Sequence, residues 1–198
     1  MVSSLWGKAI MIFFTSDHHF SHNNIIRYCQ RPFSSVEEMD QEMIHRWNET
    51  VAPEDTVYYL GDFSLSLKPV ESVTPLLHGK KLLIMGNHDV CHPFNKKRAA
   101  RGREVYFKSG FESLELESSI EIAGRTVLLH HLPYLNPSVT DKYGSTYDPY
   151  RPKDKGQWLL CGHVHQNWLQ QERMINVGVD VWDFYPVPIT KIENLMNV

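Results

Sequence analysis

Residues 81–89 read Lys-Leu-Leu-Ile-Met-Gly-Asn-His-Asp. A short apolar run, Lys81–Met85, stops at a glycine, and an amide, an imidazole and a carboxylate follow. Runs of this length and composition are read as buried strands. The arrangement recurs in Ile12-Phe-Phe-Thr-Ser-Asp17-His-His19, Tyr58-Tyr-Leu-Gly-Asp62, Val127-Leu-Leu-His130-His131 and Leu159-Leu-Cys-Gly-His163-Val-His165. In an open α/β sheet, ligands collect at the carboxyl ends of strands, where loops converge. Five strands that end in metal-binding side chains therefore predict one shared edge, although their residues span most of the chain.

The segments between them fit that architecture. Strand-like runs fall at Ile10–Thr15, Thr56–Leu60, Lys81–Met85, Thr126–Leu129, Trp158–Cys161 and Met174–Val177, and they alternate with helical patterns. Val36 to Thr50 has apolar residues near one helical face, with Ser35 and Glu38 as a capping box. Pro69 to His78 reads as a second helix, stopped by Gly79. Ser118 to Leu129 reads as a hairpin about Ala123-Gly124, so the second half is expected to be more antiparallel. A last short helix is expected over Thr190–Met196, with Thr190 and Glu193 as its box.

The bulk properties exclude several classes. With 198 residues, 42% of them hydrophobic, the chain can bury the core of a single domain, here 11–198 after an N-terminal extension at 1–10. A net charge of -3 gives no general attraction to nucleic acid or an anionic membrane. No apolar stretch is long enough to span a bilayer, and Met1 to Gly7 lacks the pattern of a secretory signal. Cys29, Cys91 and Cys161 are odd in number and lie in unrelated contexts, which argues for a reducing, cytoplasmic setting.

The chemistry lies in the strand ends. Asp17 and His19 are two apart, as are His163 and His165, so in extended backbone each pair would aim at one cluster. Glycine precedes Asp62, Asn87 and His163, which suits turns where backbone approaches a site closely. Imidazole, carboxylate and amide without sulfur favour hard or borderline divalent ions over a structural zinc cage.

Taken together, Asp17-x-His19, Gly61-Asp62, Gly86-Asn87-His88-Asp89, His131 and Gly162-His163-x-His165 resemble the calcineurin-like metallophosphoesterase superfamily, in its order, from about Met11 to about Trp182. The surrounding text is similar to a small bacterial and phage branch. The resemblance implies an α/β fold: a mixed β-sheet sandwich with flanking helices, in four layers α/β/β/α. It implies that Asp17, His19 and His165 hold one metal ion and Asn87, His131 and His163 a second, with Asp62 bridging. His131 is preferred to His130 because the family commonly has His-x-Pro, matching His131-Leu-Pro133. The implied cofactors are two divalent ions, manganese first, with iron, zinc, cobalt or nickel as alternatives.

The implied function is a phosphoesterase acting on phosphomonoesters or phosphodiesters through hydroxide held between the ions. Two divalent ions and two aspartates leave a local charge of about +2, which attracts a phosphate group. His88 would assist the leaving oxygen, and Asp89 would orient the His88 imidazole. Alternatives are cleavage of a pyrophosphate bond in a nucleotide, a nuclease, and a non-catalytic scaffold such as the retromer subunit of this fold. The filled ligand set and His88 argue against the scaffold. The expected partner is a small phosphate ester or nucleotide, with nucleic acid unsupported by the net charge. The sequence carries no sign of oligomeric state.

Other polar residues have plainer readings. His18 and His22 are read as local packing, although His22 and Asn23 could touch substrate, and Asn23 could equally cap a helix. His130, His45 and His78 are read as strand-face or helix-surface residues, and Cys91-His92 as surplus to filled metal shells. The basic cluster Lys96–Arg103 is read as a solvated helix face rather than a nucleic-acid grip. The long polar stretch 134–156 is either a substrate-facing lid or an ordinary excursion.

Overall fold

The computed structural model describes residues 9–135 and 146–196. Most of the expected N-terminal extension, and residues 136–145 of the expected lid, lie outside the described residues. The elements run β1 (Ile12–Thr15), α1 (Asn23–Tyr28), α2 (Val36–Thr50), β2 (Thr56–Tyr59), α3 (Leu67–Val73), β3 (Lys80–Ile84), α4 (Lys97–Ser109), β4 (Phe111–Glu115), β5 (Glu117–Ile122), β6 (Arg125–His130), β7 (Trp158–Cys161), β8 (Gln170–Gln171), β9 (Met174–Asn176), β10 (Val187–Pro188) and α5 (Ile189–Met196).

The strands form two mixed five-stranded sheets, in the orders β10-β1-β2-β3-β4 and β5-β6-β7-β9-β8. In the first sheet β1 to β4 are parallel and only β10 is antiparallel. In the second, β6, β7 and β9 are parallel, and antiparallel pairing is confined to the edge strands β5 and β8. The expected hairpin is there, turning at Ala123 and Gly124 with φ of 50° and 73°. The second half is nevertheless less antiparallel than its hairpin suggested, because the connections before β7 and β9 return to the same end of the sheet. That parallelism places the carboxyl ends of β1, β2, β3, β6 and β7 along one edge. Thr15 lies level with Tyr59, Tyr59 with Leu83, and Leu129 with Leu160.

Period-2 alternation divides the first sheet between two cores. Phe13, Tyr59 and Leu83 face the helices, while Phe14, Leu60 and Ile84 face the second sheet. The helical side is filled by Met39, Met43 and Trp47 of α2, four residues apart and fully buried. Removing each from water stabilises the fold by about 1.5–3 kcal/mol. Between the sheets, Val127, Leu129, Leu160 and Ile175 meet the first-sheet residues, and Ile192 and Met196 of α5 join them. The outer face of the second sheet carries a small cluster of Tyr134, Leu159, Cys161 and Met174 with Trp168 beside it.

Helix limits differ from expectation in instructive ways. Helix α2 spans Val36–Thr50, and Ser35 Oγ accepts from the Glu38 N–H at 3.1 Å. The Glu38 carboxylate, however, returns to the N–H of Ser34 at 2.7 Å rather than to that of Ser35. The second helix begins at Leu67 and ends at Val73, after which Thr74–Leu76 tighten into a 3₁₀ turn containing Pro75. Helix α5 begins at Ile189, so Thr190 lies inside it and does not cap it. Helix α4 carries the basic cluster with Lys97, Arg98 and Arg101 exposed, as a solvated face. No helix among the described residues is long and apolar enough to cross a membrane.

Candidate metal centre

Backbone hydrogen bonds tie the loop after β1 to that after β2, and the loop after β7 to that after β6. Asp17 N–H donates to Gly61 O at 3.0 Å, His19 N–H to Asp62 O at 3.1 Å, and Gly162 N–H to His131 O at 3.0 Å. Gly61 and Gly86 face each other so closely that a Cβ on Gly61 would lie 2.6 Å from the Gly86 Cα. Glycine at both positions is what lets the two turns meet.

The paired residues do not converge through extended backbone. Asp17, His19, Asp62, His163 and His165 all take left-handed conformations, with φ of 60°, 53°, 60°, 69° and 48°. Non-glycine residues adopt this region at a cost of order 1–3 kcal/mol each, and Asp, Asn and His tolerate it best. The chain thus turns sharply at each of these side chains and points them inward.

The result is a buried cluster. Ligating atoms of Asp17, His19 and His165 lie within 4.8 Å of one another, as do those of Asp17, Asp62 and His131. Asp62 Oδ2 stands between the two groups, 3.6 Å from His19 Nε2 and 3.5 Å from His131 Nε2. Asn87 Oδ1 lies 3.0 Å from His131 Nε2. The His163 ring packs edge-on to that of His131, with centroids 5.3 Å apart. His131 enters the cluster, whereas His130 turns back and its Nδ1 accepts from the Leu132 N–H at 2.9 Å.

Two imidazoles have their tautomers set from behind. His131 Nδ1 donates to Leu60 O at 2.7 Å, and His165 Nδ1 donates to Asp180 Oδ2 at 2.9 Å. In each case Nε2 is directed to the cluster, the arrangement that orients metal-ligating histidines. His131 Nε2 faces oxygen atoms. The Nε2 lone pair meets two other acceptors, Asn87 Oδ1 and Asp62 Oδ2, and only a cation or a proton reconciles the three. His19 has both ring nitrogens buried without a hydrogen bond. The donor set therefore fits divalent cations, without sulfur in the Asp17–His19–His165 or the Asp17–Asp62–His131 group.

Electrostatics agree with that fit. Burial pushes the His131 imidazole down, but the Asp62 carboxylate outweighs it and takes the group up to about 9. Burial likewise opposes charge on His165, and the hydrogen bond to Asp180 overcomes it, raising the group well above its usual value. Burial and then the His131 charge bring His163 down to about 3, so its ring is neutral. Burial lowers His19 well below the usual value despite Asp62. Carboxylates here attract positive charge, and neutral imidazoles stand beside them.

Asp89 has a different role from the one expected. Its Oδ2 accepts from the N–H groups of Asp62 and Gly86 at 2.9 and 2.8 Å, and its Oδ1 from the Phe63 N–H and the Tyr106 hydroxyl, both at 2.9 Å. With four donors around it and no exposure, the carboxylate clamps the ends of β2 and β3 together and is not turned toward the His88 imidazole. Burial and then the Asp62 charge raise it to about 6, against the pull of those hydrogen bonds. His88 is exposed, with its ring 5.5 Å from that of His19 and its N–H on Asp62 Oδ1 at 2.9 Å.

The remaining expectations separate. The His22 ring lies 5.7 Å from that of His19, and its Nδ1 is buried without a hydrogen bond. Asn23 is exposed and is the first residue of α1, so the cap position belongs to His22, which makes no side-chain cap. His18 is packed among Phe20, Trp47 and Tyr59, and its Nδ1 meets the Tyr59 hydroxyl at 2.7 Å.

Sequence reasoning missed Arg31 and Asp180, and it read Asn176-Val-Gly178 as core packing. Arg31 is buried and forms a two-point pair with Asp180, Nε to Oδ1 at 2.7 Å and Nη2 to Oδ2 at 3.1 Å. It also donates to the backbone oxygens of Asp17 and His18 at 2.7 and 2.8 Å. Asn176 Nδ2 donates to His165 O at 2.7 Å and Trp168 O at 2.9 Å. Arg31 and Asp180 pair across 149 residues and Asn176 reaches carbonyls 11 and 8 residues away, so no short motif marks these roles.

Two mixed sheets with flanking helices, and a cluster of this composition at their shared edge, define a metallophosphoesterase-type architecture. A family model described as the calcineurin-like phosphoesterase superfamily domain matches residues 10–186, and the chain belongs to that superfamily. It is 33% identical over 196 residues to the uncharacterized protein MJ1445 of Methanocaldococcus jannaschii, covering 94% of this chain and 91% of that protein. The Gene 66 protein of Mycobacterium phage L5 is 31% identical over 189 residues, covering 85% of this chain and 86% of the phage protein. Among solved structures, the protein of unknown function AQ665 from Aquifex aeolicus superposes with a TM-score of 0.67 at 26% identity, covering 94% of this chain and 100% of that one.

Proposed function

We propose that this chain hydrolyses phosphate monoesters or diesters with two divalent cations. Asp17, His19 and His165 would hold one, Asn87, His131 and His163 the other, with Asp62 between them. The observation that carries the reading is the convergence of Asp17, His19 and His165, and of Asp17, Asp62 and His131, with ligating atoms within 4.8 Å of one another in each group and both His19 ring nitrogens buried without a hydrogen bond. When bound, such a pair of ions supplies Lewis acidity, polarising phosphoryl oxygens and acidifying a water.

The chain's own residues do the rest. Leu60 O and Asp180 keep protons on the Nδ1 atoms of His131 and His165, so both rings present Nε2. The His88 N–H holds Asp62 Oδ1, which leaves Oδ2 aimed between the two groups. The exposed His88 ring stands beside His19, where a ring N–H can pass its proton to a departing ester oxygen. Behind the cluster, Asp89 holds the turns after β2 and β3 together and Arg31 holds Asp180 in place.

The test is to load the protein with Mn²⁺, count bound metal by elemental analysis, and offer a monoester, a diester and a dinucleoside polyphosphate. Two ions per chain and turnover of a mono- or diester are expected. Metal binding without hydrolysis of any ester would favour the scaffold reading, and activity on the polyphosphate alone would favour pyrophosphate cleavage.

A further inference from the structure

A cavity of about 280 Å³ opens beside the candidate centre, shares Asn87 and His131 with it, and has Phe94, Leu116, Leu132 and Tyr150 among its walls. Its walls differ in character from the metal-binding pocket. Phe94 and Tyr150 meet edge to face with centroids 4.4 Å apart, and the Phe94 ring lies 4.0 Å from that of His92. Tyr147 continues the wall inward. Its ring is 6.4 Å from Phe94 and 5.4 Å from His163, and its hydroxyl is within 3.3 Å of Asn87 Nδ2. A series of ring contacts thus links His163, through Tyr147 and Phe94, to the exposed Tyr150.

Part of this surface is exposed at a cost. Tyr150 is 54% exposed and Leu116 45% exposed, although both are large apolar side chains at the same opening. Apolar surface gathered at the mouth of a polar site marks a place where a ligand is covered. Apart from Asn87 and the histidines, the cavity's described lining is apolar or aromatic. His92 Nδ1 accepts from the Phe94 N–H at 3.1 Å, which puts its ring proton on Nε2 as a neutral donor. The volume is near the lower limit of about 300 Å³ for small-molecule pockets, which suits one ring system and excludes a duplex or a folded partner.

We infer that this cavity receives a planar ring carried by the esterified group, a nucleobase or an aryl group, while the phosphate sits at the centre; the inference rests on the proposed phosphoesterase reading for the phosphate only. Flat π-faces stack on aromatic walls regardless of base identity, so the recognition is of a ring rather than of a sequence. Phe94 and Tyr150 are specificity residues in this reading and touch neither the metal-binding atoms nor the reacting oxygens.

The experiment compares adenosine 5′-phosphate, benzyl phosphate and glycerol phosphate, each as the monoester and as its methyl diester, with Mn²⁺-loaded protein. All depart as alkyl-type oxygens, so intrinsic reactivity does not rank them. Preference for the ring-bearing esters by about tenfold or more in kcat/KM is expected. Equal preference for adenosine and benzyl esters identifies a plain ring as the determinant, and preference for adenosine identifies the base. Phe94→Ala and the surface variant Tyr150→Ala should each bring the ring-to-glycerol ratio toward one. In parallel, adenosine alone is titrated into metal-free protein and followed by NMR of the aromatic protons, with binding expected in the natural protein and weakened in both variants. Adenosine binding without hydrolysis of any ester would remove the phosphoesterase reading and leave the ring site standing. Hydrolysis with no ring preference, or variants with the natural ratio, would overturn the ring site and leave the phosphoesterase reading standing.

Discussion

Asp180 Oδ2 accepts the Nδ1 proton of His165 at 2.9 Å while the same carboxylate is gripped by Arg31. An anion behind an imidazole fixes which nitrogen faces the cluster and makes that nitrogen more basic. Asp180→Asn should therefore lower affinity for the ion nearest His165 by about 10–100-fold. Competition titration of Mn²⁺ against a chelator reads this directly. Unchanged affinity would mean that His165 needs no support, or does not bind metal.

Asp62 Oδ2 lies 3.6 Å from His19 Nε2 and 3.5 Å from His131 Nε2, which suits a carboxylate shared by two ions. Asp62→Ala should lose one or both ions, read as metal per chain after gel filtration. Full occupancy would exclude the bridging role.

His88 is exposed at the rim, and its ring is not among the clustered ligating atoms. His88→Ala should retain both ions yet lose turnover by about 10²–10⁴ on esters of poor leaving groups. An ester whose leaving group needs no proton should be affected far less. Natural turnover on both substrates would take His88 out of the mechanism.

Asp89 ties Asp62, Phe63, Gly86 and Tyr106 to one carboxylate. Asp89→Ala leaves those buried donors without their acceptor, at about 1–3 kcal/mol for each one left unsatisfied. A loss of about 3 kcal/mol or more, or roughly 6–12 °C in Tm, is expected even in metal-free protein. Thermal unfolding checks it. A variant of natural stability that had only lost activity would restore Asp89 to a purely catalytic part.

How far the sequence alone reaches can be judged from particular residues. The strand ends were legible because a buried strand followed by Asp, Asn or His is a local pattern, and Gly61 and Gly86 announced a close approach. The second helix was misplaced because Pro75 looked like an interior residue of a pattern that it breaks. Asp89 was misread for a reason of geometry: adjacency to His88 suggested contact, yet its carboxylate is buried and taken up by four other donors while His88 is exposed. Arg31 and Asp180 lie 149 residues apart, and no local feature announces that they pair. The left-handed turns at Asp17, His19, Asp62, His163 and His165 were also invisible, since their residue types are common in ordinary loops.

Those left-handed turns have a consequence for how the protein acquires its cations. The chain folds with its coordinating groups already converged, so ion capture does not have to organise the backbone. Uptake should be quick and nearly free of conformational change, because joints held at φ of 48–69° by their neighbours have little freedom left to lose.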